Sequence, residues 1–243
     1  MKWIYLSPHF DDAAFSCGGL IWEQVNSGEE VAVWTICAGE IPPGPLSPYA
    51  ESLHKRWGTD LNAVSVRKNE NALSNQRMGA ATRNFMIPDA IYRRSLSSGT
   101  HMYDSDAALF SEINLGESSL VDVLGQELLQ YLPQVCELVC PLTLGGHVDH
   151  RLVRTAAEQS ARRMWYYADF PYSVDPEQDL IEQGGEMIST PFHISKAGLG
   201  IWEESMAAHA SQISTFWSGT DQMRDAIRSY WGKEKGIRLW QFV

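Results

Sequence analysis

The chain has 243 residues, 44% hydrophobic and only 20% charged, which is the composition of a globular domain with a substantial core. Nineteen basic against thirty acidic side chains give a formal charge of −11 and a pI near 5.0. That balance excludes a nucleic-acid surface, which needs Lys and Arg against phosphate, and steers the chain away from anionic membranes. No apolar run approaches the roughly 20 residues of a spanning helix. The opening MKWIYLSPHFDD lacks the apolar stretch of a signal peptide, so the expected setting is cytoplasmic, without membrane insertion. Cys17, Cys37, Cys136 and Cys140 form no CxxC pairs and read as buried thiols rather than a disulfide scaffold.

Residues 2–7 are an apolar run ending at Pro8; a polar turn follows, then an amphipathic stretch opened by Gly18-Gly19 and lasting to about Ser27. A second apolar run, 31–37, completes a βαβ unit, which sets the fold class as α/β with a mostly parallel, Rossmann-like sheet flanked by helices. The prolines and glycine of 41–58 predict an irregular loop off the end of the second strand. Residues 59–79 predict a helix with Leu61, Val64, Leu73 and Met78 as its apolar side chains. Ser, Gly and Asp fill 95–119, an excursion from the regular pattern. Residues 121–131 have helical spacing, and Pro133 separates them from an apolar run, 135–140, expected as a central strand. Asp149 is placed to cap a helix to about Arg163; 164–168 suits another strand, and 194–230 looks mainly helical. No repeat or linker divides the chain, so one domain over 1–243 is expected.

In an open parallel sheet, side chains just beyond the carboxyl ends of strands meet at one edge. Two such loops carry His/Asp clusters: Ser7-Pro8-His9-Phe10-Asp11-Asp12 after the first strand, and His147-Val148-Asp149-His150 after the 135–140 strand. A catalytic zinc takes three nitrogen or carboxylate ligands and keeps a fourth position open, a requirement that His9, Asp12 and His150 meet. Two neutral imidazoles and one carboxylate leave such a centre net positive, able to lower the pKa of water and polarise a carbonyl. Asp11, beside a ligand without being needed as one, is then a candidate general base. His147 is a candidate donor to an oxyanion or a leaving amine, with Asp149 orienting an imidazole. Each cluster alone also fits a plain helix start or Asx turn; their coincidence at two strand ends favours a site.

SPHFDDAAFSCGG together with GGHVDHR resembles the LmbE-like, or PIG-L, family of zinc-dependent de-N-acetylases, which carry an HPDD-type motif near the N-terminus and an HxDH motif later. Gly39-Glu40, Arg67 and Glu70, Met78-Gly79, Pro88-Asp89, and His209 with Ser211-Gln212 agree with it along most of the chain. The resemblance implies a Rossmann-like fold, zinc on His9, Asp12 and His150, Asp11 as general base, and His147 as oxyanion stabiliser or acid. It also implies that Arg67 and Asp89 face the substrate, an N-acetylated amino sugar or its glycoside; from sequence alone they equally fit a surface ion pair and a turn carboxylate. Phe10 stands where the family has proline and Ala13 where a glutamate often follows; neither removes a ligand, and both bear on substrate preference, as do the loops at 41–58 and 95–119. The 9 Trp and 9 Tyr are compatible with stacking on a sugar, although aromatic side chains more often belong to a core; Trp57, expected in a loop, and Tyr172, in the segment FPYS, are the first candidates. A His₂Asp set accepts divalent ions other than zinc, and self-association into a homo-oligomer is left open. Two other functions fit the same residues: a non-catalytic sugar- or nucleotide-binding module using Gly18-Gly19 at a helix N-terminus, and a metal hydrolase of an ester or phosphodiester.

Overall fold

Side chains of the first strand, β1 (Lys2–Ser7), alternate across a buried sheet: Ile4 and Leu6 enter one core and Tyr5 the opposite one. The computed structural model describes residues 1–182 and 187–242. β1 leads into α1 (Asp12–Asn26) and returns through β2 (Glu30–Thr35), paired parallel with β1. Next come α2 (Pro48–Trp57), a 3-10 turn at Asp60–Asn62, α3 (Ala63–Met78) and β3 (Ala81–Asn84). The middle of the chain holds α4 (Asp106–Leu109), α5 (Ser118–Tyr131), β4 (Glu137–Pro141), α6 (Val148–Glu158), β5 (Trp165–Tyr167) and α7 (Pro176–Glu182). It closes with β6 (Met187–His193), α8 (Lys196–Ala207), α9 (Ala210–Phe216), α10 (Thr220–Gly232) and β7 (Gly236–Phe242).

The strands form one sheet in the order β3-β2-β1-β4-β5-β7-β6; the first five run parallel, and β7 joins β5 and β6 antiparallel. One face is covered by α5 and α6 through Val121, Leu124, Leu128, Leu152, Val153 and Ala156. The other is covered by α1, α8 and α10 through Phe15, Leu20, Trp202, Met206 and Ile227. This is the α/β, mostly parallel and Rossmann-like arrangement expected. The chain crosses to opposite sides of β1, so β1 and β4 flank a topological switch point, where loops at the carboxyl ends of both strands open a crevice. No helix among the described residues is long and apolar enough to cross a membrane.

Several expectations need correction. α1 begins at Asp12, and Gly18-Gly19 lie inside it: a Cβ on Gly18 would fall 2.7 Å from Trp202 Cδ1, so the glycines admit α8 rather than receive an anion at a helix start. Half of the proline-rich loop at 41–58 is helix, because Ser47 caps α2 by accepting the Ala50 N–H and Pro48 occupies the first turn, where a missing N–H is harmless. In α3 the expected apolar face is turned around: Leu61 before it and Leu73 within it are exposed, while Arg67, Asn71, Ser74 and Asn75 are buried with Val64 and Met78. That helix packs its polar side toward the crevice, with Arg67 reaching across to β1's loop and Asn71 donating to Thr35 of β2. α6 is capped by His147, not Asp149, and ends at Glu158. Strands β3, β6 and β7 lie outside the elements expected. Of the cysteines, Cys17, Cys37 and Cys140 are buried free thiols, and Cys136 is only partly covered.

Candidate metal centre and catalytic pocket

The loop after β1 is shaped by its own side chains. Ser7 Oγ donates to the His9 carbonyl (2.6 Å) and accepts the Ala13 N–H (3.0 Å), while the His9 N–H donates to Asp12 Oδ2 (2.6 Å). These bonds set the turn without the proline of the HPDD-type motif it resembles. Phe10, in proline's place, is buried, with the Arg67 guanidinium 5.8 Å from its ring centre. After β4, the His147 Nδ1 accepts the Asp149 N–H (3.1 Å), so the start of α6 fixes that imidazole while Asp149 and His150 turn inward.

The two loops meet. His9 Nδ1 lies 3.2 Å from Asp12 Oδ2, and His150 Nε2 lies 3.2 Å from Asp12 Oδ1. The remaining nitrogen of each imidazole is held from behind: His9 Nε2 donates to Asp149 Oδ2 (2.9 Å) and His150 Nδ1 donates to Asp169 Oδ1 (2.6 Å). His147 stands edge-on to His9 at 4.8 Å between ring centres, and His9, His147 and His150 each bring a ring nitrogen within 4.8 Å of the others. Arg67 joins the remaining acids, with Nη2 donating to Asp11 (3.2 Å) and Nη1 to Asp89 (3.1 Å). Both pairs are buried, not at the surface.

Burial here concentrates charge. Asp11, Asp12, Asp89, Asp149, Asp169 and Glu117 are each at most 9% exposed, against two buried guanidiniums, Arg67 and Arg93. Such an excess of buried carboxylates calls for compensating positive charge. Burial disfavours the charged imidazoles, yet Asp89 and Asp12 hold the His9 pKa well above its usual range, and Asp12 and Asp169 push His150 up to about 10. A divalent cation would meet the same demand. The donor set fits one: His150 Nε2 is buried and makes no hydrogen bond, despite its 3.2 Å approach to Asp12. Asp12 presents one oxygen to each free imidazole nitrogen, Oδ2 to His9 Nδ1 and Oδ1 to His150 Nε2. Burial also places Asp11 above the ordinary carboxylate range in spite of Arg67, and holds His147 well below the ordinary imidazole range, hence neutral.

Residues 4–161 match the family model described as PIG-L: GlcNAc-PI de-N-acetylase. The chain belongs to the PIG-L family. It is 28% identical to a 2'-N-acetylparomamine deacetylase of Niallia circulans over 189 residues, which is 70% of this chain and 66%, just under two thirds, of that protein. The fold is shared with the crystal structure of a deacetylase–bog complex from the biosynthesis pathway of teicoplanin, at a TM-score of 0.79, 21% identity, and coverage of 99% of this chain and 97% of that one. A structure of the zinc inhibited form of teicoplanin deacetylase Orf2 matches at a TM-score of 0.77 with the same identity and coverage.

In this PIG-L chain the centre opens into a cavity of about 110 Å³, lined by His9, Asp11, Asp12, Arg67, Asp89 and His147 on its polar side. Trp57, Phe110, Tyr172 and Phe216 form an aromatic wall around it. Trp57 reaches the cavity as the last residue of α2, stacked over the Arg67 guanidinium at 4.9 Å. Asp149, fully buried, lies behind His9. Two groups were missed by sequence reasoning. Asp169 lies two residues past the end of β5, and the strand-end rule that singled out the two motifs also covers it. Arg93, which bonds Asp149 and Glu117, carries no signal in the local sequence YRR.

Proposed function

We propose that the chain is a metal-dependent hydrolase that removes an acetyl group from an N-acetylated amino sugar or its glycoside. The observation that carries this reading is the pairing of two imidazoles, each with one nitrogen turned to Asp12 and the other fixed by a buried carboxylate, beside the buried carboxyl of Asp11 in the same cavity. His9 Nδ1, Asp12 and His150 Nε2 would hold the ion, zinc by preference, with Asp149 and Asp169 fixing the rings as carboxylates behind metal-bound histidines do. A divalent metal bound there supplies a Lewis acid for the acyl carbonyl and lowers the pKa of water.

Asp11 accepts a proton from the attacking water and returns it to the leaving amine; its burial raises its pKa, which favours the protonated form. His147 is the oxyanion donor rather than a ligand: its Nδ1 already accepts the Asp149 N–H, so in the neutral ring the proton sits on Nε2, where a donor is needed and a metal cannot bind. A cavity of about 110 Å³ is well below the roughly 300–1,000 Å³ of sites that enclose a whole ligand, so it takes the acetamido group while the sugar rests on the aromatic wall. In this reading Arg67 and Asp89, which line the cavity, meet sugar hydroxyls. The match to the GlcNAc-PI de-N-acetylase family model and the likeness to a 2'-N-acetylparomamine deacetylase support the same substrate class.

The test is release of acetate from N-acetylated amino sugars and aminoglycosides by the metal-loaded protein, beside matched O-acetyl esters. Acetate from the amides is expected, abolished by phenanthroline and restored by added zinc. Cleavage of the esters alone, or amide cleavage indifferent to the chelator, would contradict the reading.

A further inference from the structure

We propose that Arg93, held in place by Glu117 of the 95–119 excursion, is a positioning residue that sets the orientation and donor strength of His9 through Asp149. Both oxygens of Asp149 are committed: Oδ1 accepts from Arg93 Nη1, and Oδ2 accepts from His9 Nε2 (2.9 Å) and the Ala90 N–H (2.9 Å). Arg93 is itself clamped. Its Nε and Nη2 donate to the two oxygens of Glu117, the second at 3.2 Å, and Nη1 also donates to the Pro88 carbonyl (3.2 Å). Behind Glu117 the Tyr103 hydroxyl donates to Oε2 while accepting the Asn114 N–H (3.0 Å). The chain of contacts Tyr103, Glu117, Arg93, Asp149, His9 is buried throughout, no member more than 7% exposed.

One carboxylate would suffice to neutralise Arg93. A second, bound through the fork geometry of a bidentate pair, divides the guanidinium's charge and leaves Asp149 a stronger acceptor toward His9. A stronger acceptor on one ring nitrogen makes the other a better electron donor, which is how groups behind a ligating histidine tune a metal. Tyr103 and Glu117 both belong to the excursion, so that segment reaches past the pocket's rim to the back of the metal centre.

This role rests on His9 being a metal ligand, and the experiment separates the two. The Co²⁺ dissociation constant, by chelator competition, and the visible Co²⁺ spectrum are measured for the wild-type chain and for His150→Ala, Glu117→Gln, Tyr103→Phe and Arg94→Lys, with thermal melting of each metal-free protein. Glu117→Gln is expected to weaken Co²⁺ by about 10- to 100-fold and shift its spectrum. Tyr103→Phe, which removes only a hydroxyl, is expected to move both in the same direction by less. Arg94, whose side chain donates to the Pro43 and Pro45 carbonyls and to no other group among the described residues, is expected to leave both unchanged. Loss of Co²⁺ in His150→Ala with wild-type affinity and spectrum in both Glu117→Gln and Tyr103→Phe would overturn the relay and leave the metal centre standing. Wild-type affinity in His150→Ala, or no binding by the wild-type chain, would overturn both. A lowered melting temperature with unchanged affinity and spectrum would reduce Glu117 to a structural ion pair and also overturn the relay.

Discussion

Replacing Asp11 with alanine is expected to lower turnover by about 10²- to 10⁴-fold while leaving the metal bound, the range typical of a general base. The carboxylate lies one residue from Asp12, yet its pairing is with Arg67 at 3.2 Å, on the cavity side of the centre. Its pKa is raised by burial, with the Arg67 charge opposing and the neighbouring Asp12 adding to the rise. A base of raised pKa works only when deprotonated, so wild-type kcat/KM falls as pH drops through that pKa. The acid limb stands above the ordinary carboxylate range and is absent from the residual activity of Asp11→Ala. Turnover equal to wild type in a fully metallated variant would remove Asp11 from the mechanism.

His147→Ala is expected to lose about 10²- to 10³-fold in kcat, the magnitude of one oxyanion donor, again with metal retained. This variant distinguishes two ways of using three close imidazoles. Geometry alone allows His9, His147 and His150 to share an ion, since a ring nitrogen of each lies within 4.8 Å of the others. Hydrogen bonding separates them: His9 and His150 each give a proton to a buried carboxylate and keep the opposite nitrogen for a ligand, whereas His147 receives a backbone N–H and keeps its proton. Burial lowers its pKa and favours the neutral ring, which in the proposed mechanism donates from Nε2 and does not compete for the ion. If His147→Ala lost its metal as His150→Ala is expected to, the three-imidazole site would be correct and Asp12 would be the orienting group.

The parts of this architecture legible in the sequence are those where local pattern and tertiary role coincide. β1, β2 and β4 are short apolar runs buried on both faces, and the motifs sit just past two of them because a switch point collects side chains there. α2 was hidden by its own cap: Ser47-Pro48 reads as a loop when counted as breakers and as a helix start when counted by position. α3 misled for a different reason. Its buried face is polar because it lines the crevice, so Leu61 and Leu73, the side chains that suggested a core, point to solvent. β6 and β7 pair antiparallel at the sheet's far edge, and each partner lies more than 40 residues away in sequence from the other, so no local turn signal joins them as a hairpin. At the candidate site the two His/Asp motifs that the fold brings together were visible, but the groups behind them were not: Asp169 lies 19 residues from His150, and Glu117 lies 24 from Arg93. Only the fold brings such pairs together.

The central claim is that His9, Asp12 and His150 form a metal centre, and the metal content of the purified chain beside its His150→Ala variant tests it most directly. Both are dialysed against metal-free buffer and measured by elemental mass spectrometry, with circular dichroism to show that the variant is folded. About one zinc or other divalent ion per wild-type chain, lost in the folded variant, is the predicted result. A wild-type chain that holds no ion and takes none up on titration, or a His150→Ala protein that stays fully metallated, would contradict it.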